Sequence, residues 1–179
     1  MVRVPSDADK DVRSALPFDP IAEARRQWVA HGWDDAADGM AAYISVMRVA
    51  QIMLSRVDEL LKPFDLTFAR FEALTLLSFS SNGQLPLGKM GRRLQVHPTS
   101  VTNAIDKLEA QGLVKRVPHP TDRRAILAEI TPRGRRVAAE AAEALNADAF
   151  ASTDMVKRDL KELFQLLRDL RLAAGDFVR

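Results

Sequence analysis

The chain has 179 residues, 47% of them hydrophobic and 28% charged, the make-up of a globular domain with room for additional helices. It has no cysteine and only three histidines, His31, His97 and His119, far apart in the chain; disulfides, thiolate chemistry and a zinc site of short helical spacing are excluded, and neither metal nor cofactor is expected. The net charge is only +2, yet residues 86–136 hold 11 Lys/Arg against 4 Asp/Glu, the electrostatic footprint of nucleic-acid binding.

Residues 1–17 read as a polar, Pro-punctuated arm without an apolar signal core, so a cytoplasmic location is expected. No run reaches the ~18 apolar residues of a membrane span. From Ile21 to Trp33, Ile21, Ala24 and Trp28, with Val29 as a further candidate, recur at helical spacing, and Gly32 is a stop. From Met40 to Lys62 the periodicity strengthens through Tyr43, Met47, Ala50, Leu54, Val57 and Leu61, and Pro63 ends it. Thr67 is the expected N-cap of a helix burying Phe71, Leu74 and Leu77 or Ser78, broken by SSNG at 80–83.

Leu87, Met90 and Leu94 mark a helix of about two turns. His97 then stands at an N-cap and Pro98 at the first helical position of a second helix, with Val101, Ala104, Ile105 and Leu108 inward and Gly112 as its stop. Two short helices across a three-residue turn form a helix-turn-helix. Leu113–Val117 and Ala125–Thr131 read as strands around the charged loop PHPTDRR, a hairpin wing. Thr131 and Pro132 start an Ala-rich helix to about Ala149, and Thr153 or Asp154 caps a last helix with a seam of Val156, Leu160, Leu163, Leu167 and Leu170. That seam needs a second surface, and a second copy of the chain supplies it most simply. The expected fold is mainly α with a small β-hairpin wing. A winged helix-turn-helix over 63–131 is flanked by an N-terminal extension and first core helix over 18–62 and by C-terminal dimerisation helices over 132–179.

In the second helix of the motif the outward residues are Pro98, Thr99, Ser100, Thr102, Asn103, Asp106 and Lys107. Asn pairs with adenine through two hydrogen bonds, Thr and Ser bond base edges or pack a thymine methyl, and Lys107 reaches phosphate. Pro98, Thr99, Ser100, Thr102, Asn103 and Lys107 are therefore the expected major-groove set. His119, Asp122, Arg123 and Arg124 form the wing tip, where a projecting Arg suits the narrow minor groove. Lys89, Arg92, Arg93, Lys115 and Arg116 are the expected phosphate contacts, giving affinity without sequence readout. No Gly-rich phosphate loop, paired carboxylates in a defined setting or nucleophile–His arrangement points to an enzyme. The alternative is a winged module that binds protein instead of DNA; exposed apolar residues on the wing would favour it, and the wing carries Arg123, Arg124 and His119 instead.

The stretch from Thr67 to Gly134, with VHPTSVTNAIDKLEAQGLVKRVPHPTDRR and then ITPRG, resembles the MarR family of bacterial regulators. Its wing signature stands here as Asp122, Arg124, Ile130 and Thr131, and the flanking helices extend the resemblance over roughly residues 40–172. The resemblance implies a triangular homodimer with both chain ends in the interface. It also implies a pseudo-palindromic double-stranded operator, and repression released by a small molecule. It makes Arg124 the minor-groove arginine and Asp122 its positioning partner. Many members carry a basic residue where Asn103 stands, so base preference does not transfer. Effectors of such proteins lie between dimer helices and winged unit, where Trp28, His31, Tyr43, Met47, Arg48, Phe68, Arg70 and Phe71 are available. Aromatics with arginine suit a small anionic aromatic compound or its thioester. Residues 18–36 resemble the extra helix of the urate-responsive branch, although that branch's recognition-helix arginine is absent. The thiol-oxidation branch is excluded by the missing cysteines.

Overall fold

The computed structural model describes residues 15–122, 125–153 and 155–178 and divides into two units, residues 1–54 and 55–179. In the first unit the Asp19 side chain accepts from the amides of Ile21 (2.8 Å) and Ala22 (3.3 Å), capping helix α1, Pro20–Ala30. The helix ends at Ala30 with His31 at the C-cap and Gly32 in a left-handed conformation (φ 78°), so Gly32 is the stop that the sequence suggests. A second helix, α2, runs Asp34–Leu61 and begins six residues earlier than its apolar periodicity suggests, since Asp34 and Asp35 suit a helix N-terminus. Along its part in this unit Tyr43, Met47 and Leu54 are exposed by 73%, 59% and 46%, so most of the expected stripe has no cover among the described residues. Of that stripe only Val57 and Leu61, at the end of α2 and in the second unit, are buried; near its start Ala37 is buried as well.

In the second unit a 3-10 turn, Lys62–Phe64, follows α2 and leads to α3, Phe68–Ser78. Thr67 stands at the N-cap position but makes no capping bond; the Asp58 carboxylate accepts from the Phe68 amide instead, at 2.8 Å. Next come β1 (Gln84–Pro86), α4 (Leu87–Leu94), α5 (Pro98–Ala110), β2 (Val114–Pro118) and β3 (Ile126–Ile130). The wing is therefore more than a hairpin. The short β1 joins it antiparallel, giving the order β1-β3-β2, with Leu85 opposite Ala128 and Arg116 opposite Ala128 from the other side.

One core serves all these elements: Leu61, Leu74, Leu77, Met90, Ile105, Leu108, Val114 and Leu145 are all but inaccessible to solvent. Leu145 ends helix α6, Pro132–Leu145, whose Ala138 and Ala141 lie in the same core. The α-helical part of α6 ends there, and Asn146–Phe150 continue it as a π turn, so the helical stretch expected to Ala149 changes pitch in its last turn. The final helix, α7, spans Lys157–Ala173. Val156 occupies its N-cap position and lies outside the helix, Thr153 is not its cap, and Asp154 lies outside the described residues. None of its residues is fully buried, and Phe164, Leu166 and Leu170 are 55–60% exposed.

The start of α6 is tied down by one side chain. The Thr131 hydroxyl accepts from the Gly134 amide (3.0 Å) and donates to the Gly112 carbonyl (2.9 Å). Replacing Thr131 by Ala removes cap and cross-link together and is expected to cost about 1–2 kcal/mol; equilibrium urea unfolding measures it.

Candidate nucleic-acid interface

Helices α4 and α5 meet at a three-residue turn. Gln95 takes a left-handed conformation (φ 52°), and the His97 ring nitrogen Nδ1 accepts from the Thr99 amide at 3.3 Å, capping α5. The Gln95 amide side chain also donates to the Asp176 carboxylate, tying the turn to the C-terminal segment. Because Val101, Ile105 and Leu108 are locked in the core at 0–2% exposure, helical geometry turns the other face outward. Pro98, Thr99, Ser100, Thr102, Asn103, Asp106 and Lys107 are all exposed. The Thr102 hydroxyl bonds back to the Pro98 carbonyl (3.2 Å). Among the described residues the side chains of Ser100, Asn103 and Lys107 have no intramolecular hydrogen bond or ion pair, which leaves their donors and acceptors available.

The five expected phosphate residues divide. Lys89, Arg92 and Arg93 are exposed on α4 with no ion pair among the described residues. Lys89 and Arg92 border an open groove of about 540 Å³ whose apolar side is formed by Pro86, Leu87, Ala125 and Ile126. Lys115 and Arg116, on β2, are engaged within the protein. Lys115 pairs with Glu129 on β3 (2.6 Å), and Gln84 on β1 donates to the same carboxylate (2.6 Å). Those two bonds, led by the one from Lys115 and only partly opposed by burial, hold the Glu129 carboxyl below the ordinary glutamate range. Arg116 is gripped by two carboxylates of α5, Asp106 at 2.5 Å and Glu109. Burial works against the charge of this guanidinium, but its bonds to Asp106 and Glu109 outweigh burial and raise its pKa above the arginine norm.

At the wing tip, His119 organises the turn. Its Nδ1 accepts from the amides of Thr121 (3.3 Å) and Asp122 (3.2 Å), and its own amide donates to the Ala125 carbonyl (3.2 Å). Asp122 is exposed, and its carbonyl accepts from the Ala125 amide at 3.0 Å. Arg123 and Arg124 lie outside the described residues.

The residues expected around an effector fall in both units. In the first, Trp28 packs edge-on against Trp33 (5.1 Å between centroids) and His31 stacks on the same ring (5.5 Å), while Tyr43, Met47 and Arg48 are exposed. In the second, Phe71 is buried in the core and Phe68 stacks on it at 6.4 Å. Arg70 bonds the Thr67 hydroxyl (3.3 Å) and, with Asp65, Lys107 and Gln111, borders an open groove of about 510 Å³. Among the described residues no three His, Asp or Glu side chains converge as a metal site, and no helix is long and apolar enough to cross a membrane.

The grip of Asp106 and Glu109 on Arg116 is the feature that sequence reasoning missed. Its signal was there: two acids three apart on one helix, a Gly stop, then an Arg in the strand that must run back beside it.

Residues 66–126 match the family model described as the MarR family. The HTH-type transcriptional repressor Mb2911 of Mycobacterium bovis is 30% identical over 138 residues, 76% of this chain and 95% of its own. Across the curated relatives named as regulators, the matched share of the relative ranges from 52% to 95%. Among solved structures, Sco5413, a MarR family transcriptional regulator from Streptomyces coelicolor, is 49% identical with a TM-score of 0.72, covering 79% of this chain and 99% of that one. Sco3205, a MarR family regulator of the same organism solved in complex with DNA, shares the fold at 19% identity (TM-score 0.68; 78% and 89% covered). A regulator-type relative matched over nearly its whole length, a helix-turn-helix with its polar face outward and a three-stranded wing converge on one conclusion: the chain belongs to the MarR family of transcriptional regulators.

Proposed function

We propose that the protein is a homodimeric repressor that reads a pseudo-palindromic duplex and lets go of it when a small molecule binds. The observation that carries this is the outer face of α5. Ser100, Asn103 and Lys107 stand exposed there, and Lys89, Arg92 and Arg93 stand exposed on α4 of the same motif, none of the six with a partner among the described residues. Base-edge donors and acceptors next to phosphate-binding charge are the two ingredients of sequence-specific readout. Arg124, with Asp122 positioning it, would enter the flanking minor groove.

In this reading residues 63–131 read DNA, while 18–62 and 132–179 bring two copies together. The exposed apolar side chains Tyr43, Met47 and Ile52 of α2, and Phe164, Leu166 and Leu170 of α7, are what a second copy would cover. The effector is a small anionic aromatic or a thioester of one. The protein acts in the cytoplasm, where its operator lies, and catalyses no reaction.

DNA footprinting upstream of the protein's own gene tests this. Two protected half-sites centred about 34 Å apart along the duplex support it, and their loss in Arg124→Ala assigns the wing. Protection without half-site structure would argue for a charged surface only.

A further inference from the structure

Two acids on a DNA-reading helix pose a problem that the structure answers. Asp106 is 54% exposed on the same outward face as Thr102 and Asn103, and Glu109 is 38% exposed one turn on. A duplex carries one negative charge per ~1.7 Å of its axis, so uncompensated carboxylates on this face would be repelled as α5 enters the groove.

Arg116 meets both. Its Nη2 lies 2.5 Å from Asp106 Oδ1, its Nη1 donates to Glu109 Oε2, and its backbone amide donates to Glu109 Oε1 at 2.9 Å. The Arg116 side chain is only 24% exposed. A planar fork that meets two carboxylates through separate nitrogens is a geometry that Arg supplies and the single ammonium nitrogen of Lys does not. The same bonds join α5 to β2, the first strand of the wing hairpin, so the reading helix and the wing are held in one fixed relation.

We infer that Arg116 is a positioning residue for DNA recognition: it neutralises Asp106 and Glu109 and latches α5 to the wing, without itself contacting phosphate. This rests on the DNA-reading function proposed above. It differs from the simpler expectation that every cation of the basic block neutralises a phosphate. A cation already paired within the protein releases no counterion from DNA, so the two roles differ in salt dependence.

The test is fluorescence anisotropy of the full chain with the footprinted duplex and a scrambled one, across a salt series. Arg116→Gln is expected to weaken operator binding by roughly tenfold or more with no fall in the salt slope, whereas loss of a true phosphate contact such as Lys89→Ala lowers the slope by about one. Adding Asp106→Asn to Arg116→Gln removes a bare carboxylate and is expected to recover a good part of the loss, about threefold or more by the size of close charge effects. Arg116→Lys keeps the charge but loses the planar fork that meets the two acids through separate nitrogens, and is expected to lose roughly fivefold at unchanged slope.

A slope lowered by about one in Arg116→Gln, no recovery from Asp106→Asn, and full affinity in Arg116→Lys would make Arg116 an ordinary phosphate contact and overturn the inference. Full operator affinity in Arg116→Gln would overturn it as well. Both results leave DNA reading intact if the wild-type chain still separates operator from scrambled duplex. A wild-type chain that does not separate them overturns the DNA reading and this inference together.

Discussion

Gly134→Ala is expected to destabilise the protein by about 2–3 kcal/mol, the upper range for forcing an atom into packed structure. A Cβ built at Gly134 lies 2.1 Å from the Leu113 carbonyl oxygen and 2.9 Å from Ile130 Cγ1. The oxygen cannot easily move away, because it also accepts from the Thr131 amide at 3.0 Å. Room for the methyl must come from separating the first turn of α6 from the corner where α5 passes into β2. Ala is the better helix former by up to ~1 kcal/mol, which offsets only part of the clash. A melting temperature lower by roughly 4–12 °C is expected for a chain of this size. An unchanged or higher value would show that the corner relaxes at little cost.

Asn103→Ala should act on a different property. Asn103 is exposed on the outer face of α5 with its amide unengaged, and core residues hold the helix whether or not that side chain is present. Stability should therefore stay within ~0.5 kcal/mol. If Asn103 makes a bidentate contact to a base, its loss costs about 1–3 kcal/mol of discrimination, so the operator-to-scrambled affinity ratio should fall by roughly 5- to 150-fold. Affinity for the scrambled duplex should hardly change. Equal losses on both duplexes would place Asn103 on the backbone instead.

The parts of this fold that were legible in the sequence are those written in local chemistry. His97–Pro98 and Thr131–Pro132 announce helix starts, and both helices begin there. The apolar spacing of Val101, Ile105 and Leu108 gives the buried face of α5, and through it the exposed one. What was not legible depends on partners distant in sequence. The strand β1 is three residues long, and only its pairing with β3 across the core makes Gln84–Pro86 a strand. Thr67 looks like a cap, but Asp58, ten residues upstream, reaches the Phe68 amide first. Charge likewise gives sign without partner: Lys115 and Arg116 count toward the basic block, yet the fold sets both against carboxylates. His119 sits among wing arginines in sequence, while in space its ring nitrogen shapes the turn.

The most direct test of DNA reading by α5 is anisotropy of the wild-type chain on the operator and on a scrambled duplex of the same length, from low to physiological salt. Binding of the operator at least ~10³-fold tighter than the scrambled duplex, as specific regulators achieve, with both affinities falling steeply with salt, is the expected result. Equal, weak binding of the two duplexes at every salt concentration would contradict it and leave the exposed face of α5 a charged surface without a sequence to read.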